Sequence, residues 1–106
     1  MDAIEINVGG CIFTTSLNSL TKYNDSVFCK MVNGTHPIGK DKNNLPFIDR
    51  SPILFEYILQ YLRTDQLDLH KLTNDQTVSL YKALLNEARF YNLKTMIFFL
   101  ENKIRN

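Results

Sequence analysis

Tryptophan is absent from this chain of 106 residues, and cysteine, proline and glycine are sparse at two, three and four. Cys11 and Cys29 are too few for the disulfide framework of a small secreted fold, so both are expected as buried free thiols in a reducing, intracellular setting. Neither sign of charge dominates: twelve Lys and Arg stand against eleven Asp and Glu, a formal charge of +1 with no long block of either sign. That removes the electrostatic argument for nucleic acid or an anionic membrane as partner. No apolar run approaches the roughly 20 residues of a membrane span, and no charged-then-apolar leader comes after Met1, so neither anchor nor signal peptide is expected. The glycines form neither GxGxxG nor a GKS/GKT loop, which excludes the usual phosphate cradles. His36 and His70 have no second His or Cys at ligand spacing, so no metal site is expected. Asp49, Glu56, Glu87 and the two histidines are scattered, with no nucleophile–base pairing. No catalytic residue, no cofactor and no enzymatic activity are therefore expected.

What the chain does have is the stretch Phe47 to Thr64. A short apolar run through Phe47-Ile48 is ended by Asp49-Arg50, and Ser51-Pro52 supplies a helix start, with Ser as N-cap and Pro at the first helical position, where its missing N–H costs nothing. From there Glu56, Gln60 and Arg63 fall within roughly 60° of arc, and the residues between them are apolar. A helix apolar nearly all round, yet too short for a bilayer, is expected as a central core helix with other elements around most of its circumference. At this length the chain is expected to be one domain, residues 1–106, burying roughly two-thirds of its unfolded surface.

The flanks are punctuated as clearly. Ile4 to Val8 alternates apolar and polar, Gly9-Gly10 comes next, and Cys11 to Thr15 suits a second strand, which predicts a tight hairpin. Thr15 or Ser16 can cap a short helix through about Tyr23, and Ser26 recaps a second over Val27 to Val32 that Asn33-Gly34 ends. Gly34 to Asn44 is polar and aperiodic, an exposed loop. Leu67-Asp68-Leu69 is expected as one more short strand. Thr73 and Gln76 fit a capping box for a long helix burying Val78, Tyr81, Leu84, Leu85, Ala88 and Tyr91, with Asn92 as a left-handed stop. A last helix from about Leu93 turns Met96, Ile97, Leu100 and Ile104 inward and leaves one of Phe98 and Phe99 outside.

Four segments taken in order, Ile6 to Gly10 with Phe13-Thr14-Thr15, Phe47 to Arg50, Tyr61 to Thr64, and Glu87-Ala88 with Phe90 to Leu93, resemble the BTB/POZ domains of the potassium-channel tetramerisation type. The likeness covers about residues 3 to 100. It implies an α+β BTB/POZ fold, a small three-stranded mixed sheet flanked by about five helices, in a cytoplasmic protein–protein interaction module that assembles with copies of itself as a homotetramer or homopentamer. It also implies a largely polar subunit interface, carried over onto Asn7, Thr14, Thr15, Asp49, Arg50 and Arg63. Charge-assisted bonds from Asp49, Arg50 and Arg63 to a neighbour fit that role; the alternative is that Asp49 and Arg50 cap their own chain. The pattern departs from the family at Ser51, Asp65 and Arg89, where the family has an acidic residue, a Gly and an acidic residue. With no cysteine after Cys29, the zinc-bearing voltage-gated channel branch fits less well than the soluble adaptor branch. Many adaptors of that branch recruit a cullin-3-type ubiquitin ligase, which would here use the loop with His36 and Lys40 and the area of Phe90, Tyr91 and Asn92. The alternative function is the cytoplasmic tetramerisation domain of a channel, to be told apart by whether membrane-spanning segments lie beyond Asn106.

Overall fold

Strand β1 (Ala3–Val8) turns through Gly9 and Gly10, at φ +59 and +101, and returns antiparallel as β2 (Cys11–Ser16). Positive φ at both turn positions is what glycine takes cheaply. The computed structural model describes residues 2–35, 38–69 and 73–105. After the hairpin come α1 (Leu17–Leu20), α2 (Val27–Asn33), β3 (Phe47–Ile48), α3 (Pro52–Thr64), α4 (Asn74–Tyr91) and α5 (Lys94–Arg105). β3 pairs parallel with β1, giving the strand order β2-β1-β3. The three-stranded mixed sheet and five helices agree with the α+β class expected from the residues.

The helix boundaries obey their caps. Ser16, Ser26, Ser51 and Thr73 each accept a hydrogen bond from a backbone N–H of the first turn, and Thr73 with Gln76 completes the capping box. Gly34, Asp65 and Asn92 end α2, α3 and α4 in the left-handed region. α1 stops at Leu20 instead of running to about Tyr23: the Thr21 N–H still reaches the Leu17 carbonyl at 3.0 Å, but Thr21 leaves the helical dihedrals at φ −101 and ψ 15, and the Lys22 N–H turns to the Ser19 carbonyl at 3.4 Å. Leu67 to Leu69 form no strand. Their segment leaves α3 at the open side, and the Asp68 N–H reaches the Gln60 side chain at 3.4 Å.

Ile6 and Val8 of β1, Ile48 of β3, and Phe55, Ile58, Leu59, Tyr61 and Leu62 of α3 are buried, with Leu84, Ala88 and Tyr91 of α4 and Met96 and Leu100 of α5 closing the core. Phe28, Phe55 and Tyr91 form one aromatic cluster, Phe28 stacked on Tyr91 at 4.7 Å and Phe55 edge-on to Phe13 at 4.9 Å. Each such ring contributes about 1.5–3 kcal/mol on burial. Two expectations, for Val78 and for the cysteines, need correction. Val78 is exposed in the second turn of α4, before that helix meets the core. Cys11 is exposed at the hairpin end, and Cys29 is half-buried, its thiol donating to the Thr21 and Tyr23 carbonyls at 3.1 Å each. Phe98 is the member of its pair left outside.

Candidate functional site

The most consequential correction concerns α3. Ser51 accepts from the Leu54 N–H and Pro52 opens the first turn, as the residues require. The helix buries only one broad face, because the sheet, α1 and α4 all pack on that side. Ile53 is 75% exposed, and it stands three and seven positions before Glu56 and Gln60, which places it on the same side as the polar stripe. That open side faces β2, the uncovered edge of the sheet.

Between them runs a groove of about 660 Å³ lined by Ile12 and Thr14 of β2 and by Glu56, Gln60 and Arg63 of α3, with Asp68 at its end. Arg63 spans it, Nη2 donating to the Thr14 carbonyl oxygen at 3.0 Å, so the last turn of α3 is clamped to the strand edge. Ile12 is 48% exposed. Ile12 among hydrogen-bonding side chains gives the groove an apolar patch with a polar rim, a composition that protein–protein contacts share.

The six residues carried over as interface candidates divide. Thr14 and Arg63 meet in the groove, and Asp49 is exposed at the strand-to-helix turn. Of the other three, Asn7 and Arg50 are bonded within the chain away from the groove and Thr15 is buried. Asn7 donates to Asp41 and accepts from the Gly10 N–H, each at 2.8 Å, and so holds the hairpin turn against the loop before β3. Thr15 lies on the opposite face of β2, buried, with its Oγ1 unpartnered. Arg50 forks the Glu87 carboxylate, Nε to Oε1 at 3.2 Å and Nη2 to Oε2 at 2.6 Å, with the Phe90 ring 4.3 Å from its guanidinium carbon. The Glu87 carboxylate raises the Arg50 pKa further.

The second expected surface also changes. Lys40 is exposed, bridged through its backbone to Pro46. Phe90 is 44% exposed, but Tyr91 is fully buried, since it falls on the inner stripe with Leu84 and Ala88; burial pushes its phenol pKa well up. Asn92 is half-buried, its side chain donating to the Asp25 carbonyl at 2.8 Å. His36 and His70 lie outside the described residues.

Glu87 and Ile53 were the residues that pattern reading passed over. Glu87 sits at the spacing of the buried stripe, three after Leu84 and four before Tyr91, and that register was its signal. Among the described residues no helix is long and apolar enough to cross a membrane.

Among known proteins, a family model described as BTB/POZ domain matches residues 4–100. The chain is 41% identical over 102 residues to the BTB/POZ domain-containing protein KCTD21 of Mus musculus and equally to that of Homo sapiens, covering 96% of this chain and 37% of either relative. To the BTB/POZ domain-containing protein KCTD18 of Bos taurus it is 36% identical over 93 residues, 88% of this chain and 21% of that protein. The chain thus spans little more than a third, or less, of the curated relatives it matches.

Proposed function

Because this chain belongs to the BTB/POZ domain family, of the potassium-channel tetramerisation type, we propose that it is a homo-oligomerising interaction module whose copies meet through the open face of α3 and the edge of β2. The observation that carries this reading is the β2–α3 groove, where the half-exposed Ile12 lies among polar side chains and whose helix also leaves Ile53 three-quarters exposed. Side chains of that size left in water on a small domain mark a contact surface. Thr14, Glu56 and Arg63 supply the polar partners around them, and a ring of four or five copies is the assembly the family implies. The reading assigns no reaction to the chain and places it in the cytoplasm.

Light scattering on the purified chain at tens of micromolar tests it. The expected mass is four or five times the 12.3 kDa of one chain, and Ile53→Glu shifts it toward one. A wild-type monomer refutes the reading. Within it, an adaptor role with cullin-3 as partner is a second step, for which Phe90 and Asn92 are the surface candidates. Failure of the wild type to capture cullin-3 rejects that step, and capture unchanged in Phe90→Ala rejects this surface for it.

A further inference from the structure

Resting on the self-association reading, we infer that the occupant of the β2–α3 groove is the 38–46 loop of the next copy, with Lys40 and Lys42 set against Glu56. A closed ring of identical chains joins two different patches of each chain, so a groove on one flank needs its complement elsewhere on the same molecule. The sheet offers one. β2 is open on one side of β1, whereas on the other side β3 is covered by the chain before it, the Phe47 N–H donating to the Gly39 carbonyl at 2.9 Å and Lys40 bridging Pro46. The two flanks point away from one another, the arrangement that head-to-tail contact requires.

The covering loop is built to hold a shape. Asp41 accepts from the Asn7 side chain at 2.8 Å and from the Asn43 and Leu45 amides at 2.8 and 2.9 Å, and its own N–H donates to the Leu45 carbonyl at 2.9 Å. Asn44 takes the left-handed conformation, φ +65, that closes the turn. A loop already ordered gives up little entropy on docking.

Charge supplies the selectivity. The Asp41 carboxylate is spent on Asn7 and on backbone amides, so the loop shows its neighbour two exposed lysines that form no ion pair among the described residues. Across the contact, the Arg63 guanidinium is turned onto the Thr14 carbonyl, while Glu56 is exposed and has no ion-pair partner among the described residues. Arg63 keeps its positive charge but is held at the strand, so the carboxylate offered to the two lysines is that of Glu56. By contrast Lys22, Arg50, Arg89 and Lys94 are each paired to an acid of their own chain. This assigns Lys40 to the contact between copies and takes it from the cullin-facing surface.

Charge reversal on each half tests the assignment. Glu56→Lys alone and Lys40→Glu/Lys42→Glu alone each place like charges across every contact, and each is expected to raise the concentration for half-assembly by at least about ten-fold. Mixed one to one, the two variants restore opposite charges at every contact of an alternating ring and re-form an assembly, of four or six chains because alternation closes only in even numbers. A second measurement does not depend on charge: a Lys42→Cys chain and a Glu56→Cys chain, both carrying Cys11→Ser, are expected to cross-link to one another on oxidation. Reversal variants that assemble as the wild type does, folded variants that stay apart when mixed, or absence of the cross-link overturn the inference and leave self-association standing. A monomeric wild type removes both.

Discussion

Glu87 keeps its side chain only 8% exposed by facing Arg50, whose own side chain is 30% exposed. The pair joins the strand-to-helix turn to the last turns of α4, so one ion pair sets the angle between the two. Removing Arg50 leaves a buried carboxylate unpaired. Arg50→Ala is expected to cost about 2–3 kcal/mol in urea unfolding, below the full penalty of a deeply buried pair because solvent reaches the guanidinium. Asp49→Ala, at an exposed neighbour, is expected to stay within about 0.5 kcal/mol.

The hairpin turn gives a sharper contrast. A Cβ on Gly9 would stand 2.4 Å from the Arg50 carbonyl oxygen and 2.9 Å from Pro52 Cδ, whereas one on Gly10 would meet nothing within 4 Å. Both residues have positive φ. Gly10→Ala is therefore expected to carry only the left-handed penalty, about 1 kcal/mol, and Gly9→Ala at least about 2–3 kcal/mol, since backbone must move. Denaturation midpoints of the two variants check the order.

Asp65 occupies the left-handed cap of α3 at φ +60, where the family pattern has glycine, and is held by Lys22 Nζ at 2.7 Å and by the Tyr23 hydroxyl. Those bonds, Lys22 first, depress the Asp65 pKa. A depressed carboxylate contributes stability above its unfolded value, about 3.9, and loses it as pH falls through the lower folded value. Asp65→Gly trades the ion pair for relief of backbone cost. The variant is expected to be near wild type at pH 7 and to gain on it below about pH 4. Thermal unfolding at the two pH values reads the difference, and an equal offset at both refutes it.

Tyr91 buries a hydroxyl that has no hydrogen-bond partner among the described residues, within an aromatic cluster. Deleting an unsatisfied polar group is neutral or favourable, so Tyr91→Phe is expected to leave stability unchanged or raise it by up to about 1 kcal/mol. Tyr61→Phe, which gives up a 3.2 Å bond to Thr95, is expected to lower it by about 1 kcal/mol. Paired chemical melts of the two variants decide.

Much of the fold was legible because its signals are local. The serine caps at 16, 26 and 51, the Thr73–Gln76 box and the stops at Gly34 and Asn92 each act within one turn of backbone, and the elements begin and end beside them. What could not be read depends on which side of an element has a neighbour. Ile53 looks like core on any helical wheel, and only the one-sided packing of α3 leaves it in water. Cys11 is apolar by type, yet it sits where the hairpin runs past the core. The bonds of Arg50 to Glu87 and of Asn7 to Asp41 join residues 37 and 34 apart in the same chain, a distance that spacing rules do not span.

The cover over β3 has a bearing on solubility. With Gly39 and Lys40 laid along that flank, the uncovered strand margin among the described residues is that of β2. With one flank covered and the Thr14 carbonyl of the other already taken by Arg63, the open-ended strand addition that feeds fibrils is disfavoured on both sides of the sheet.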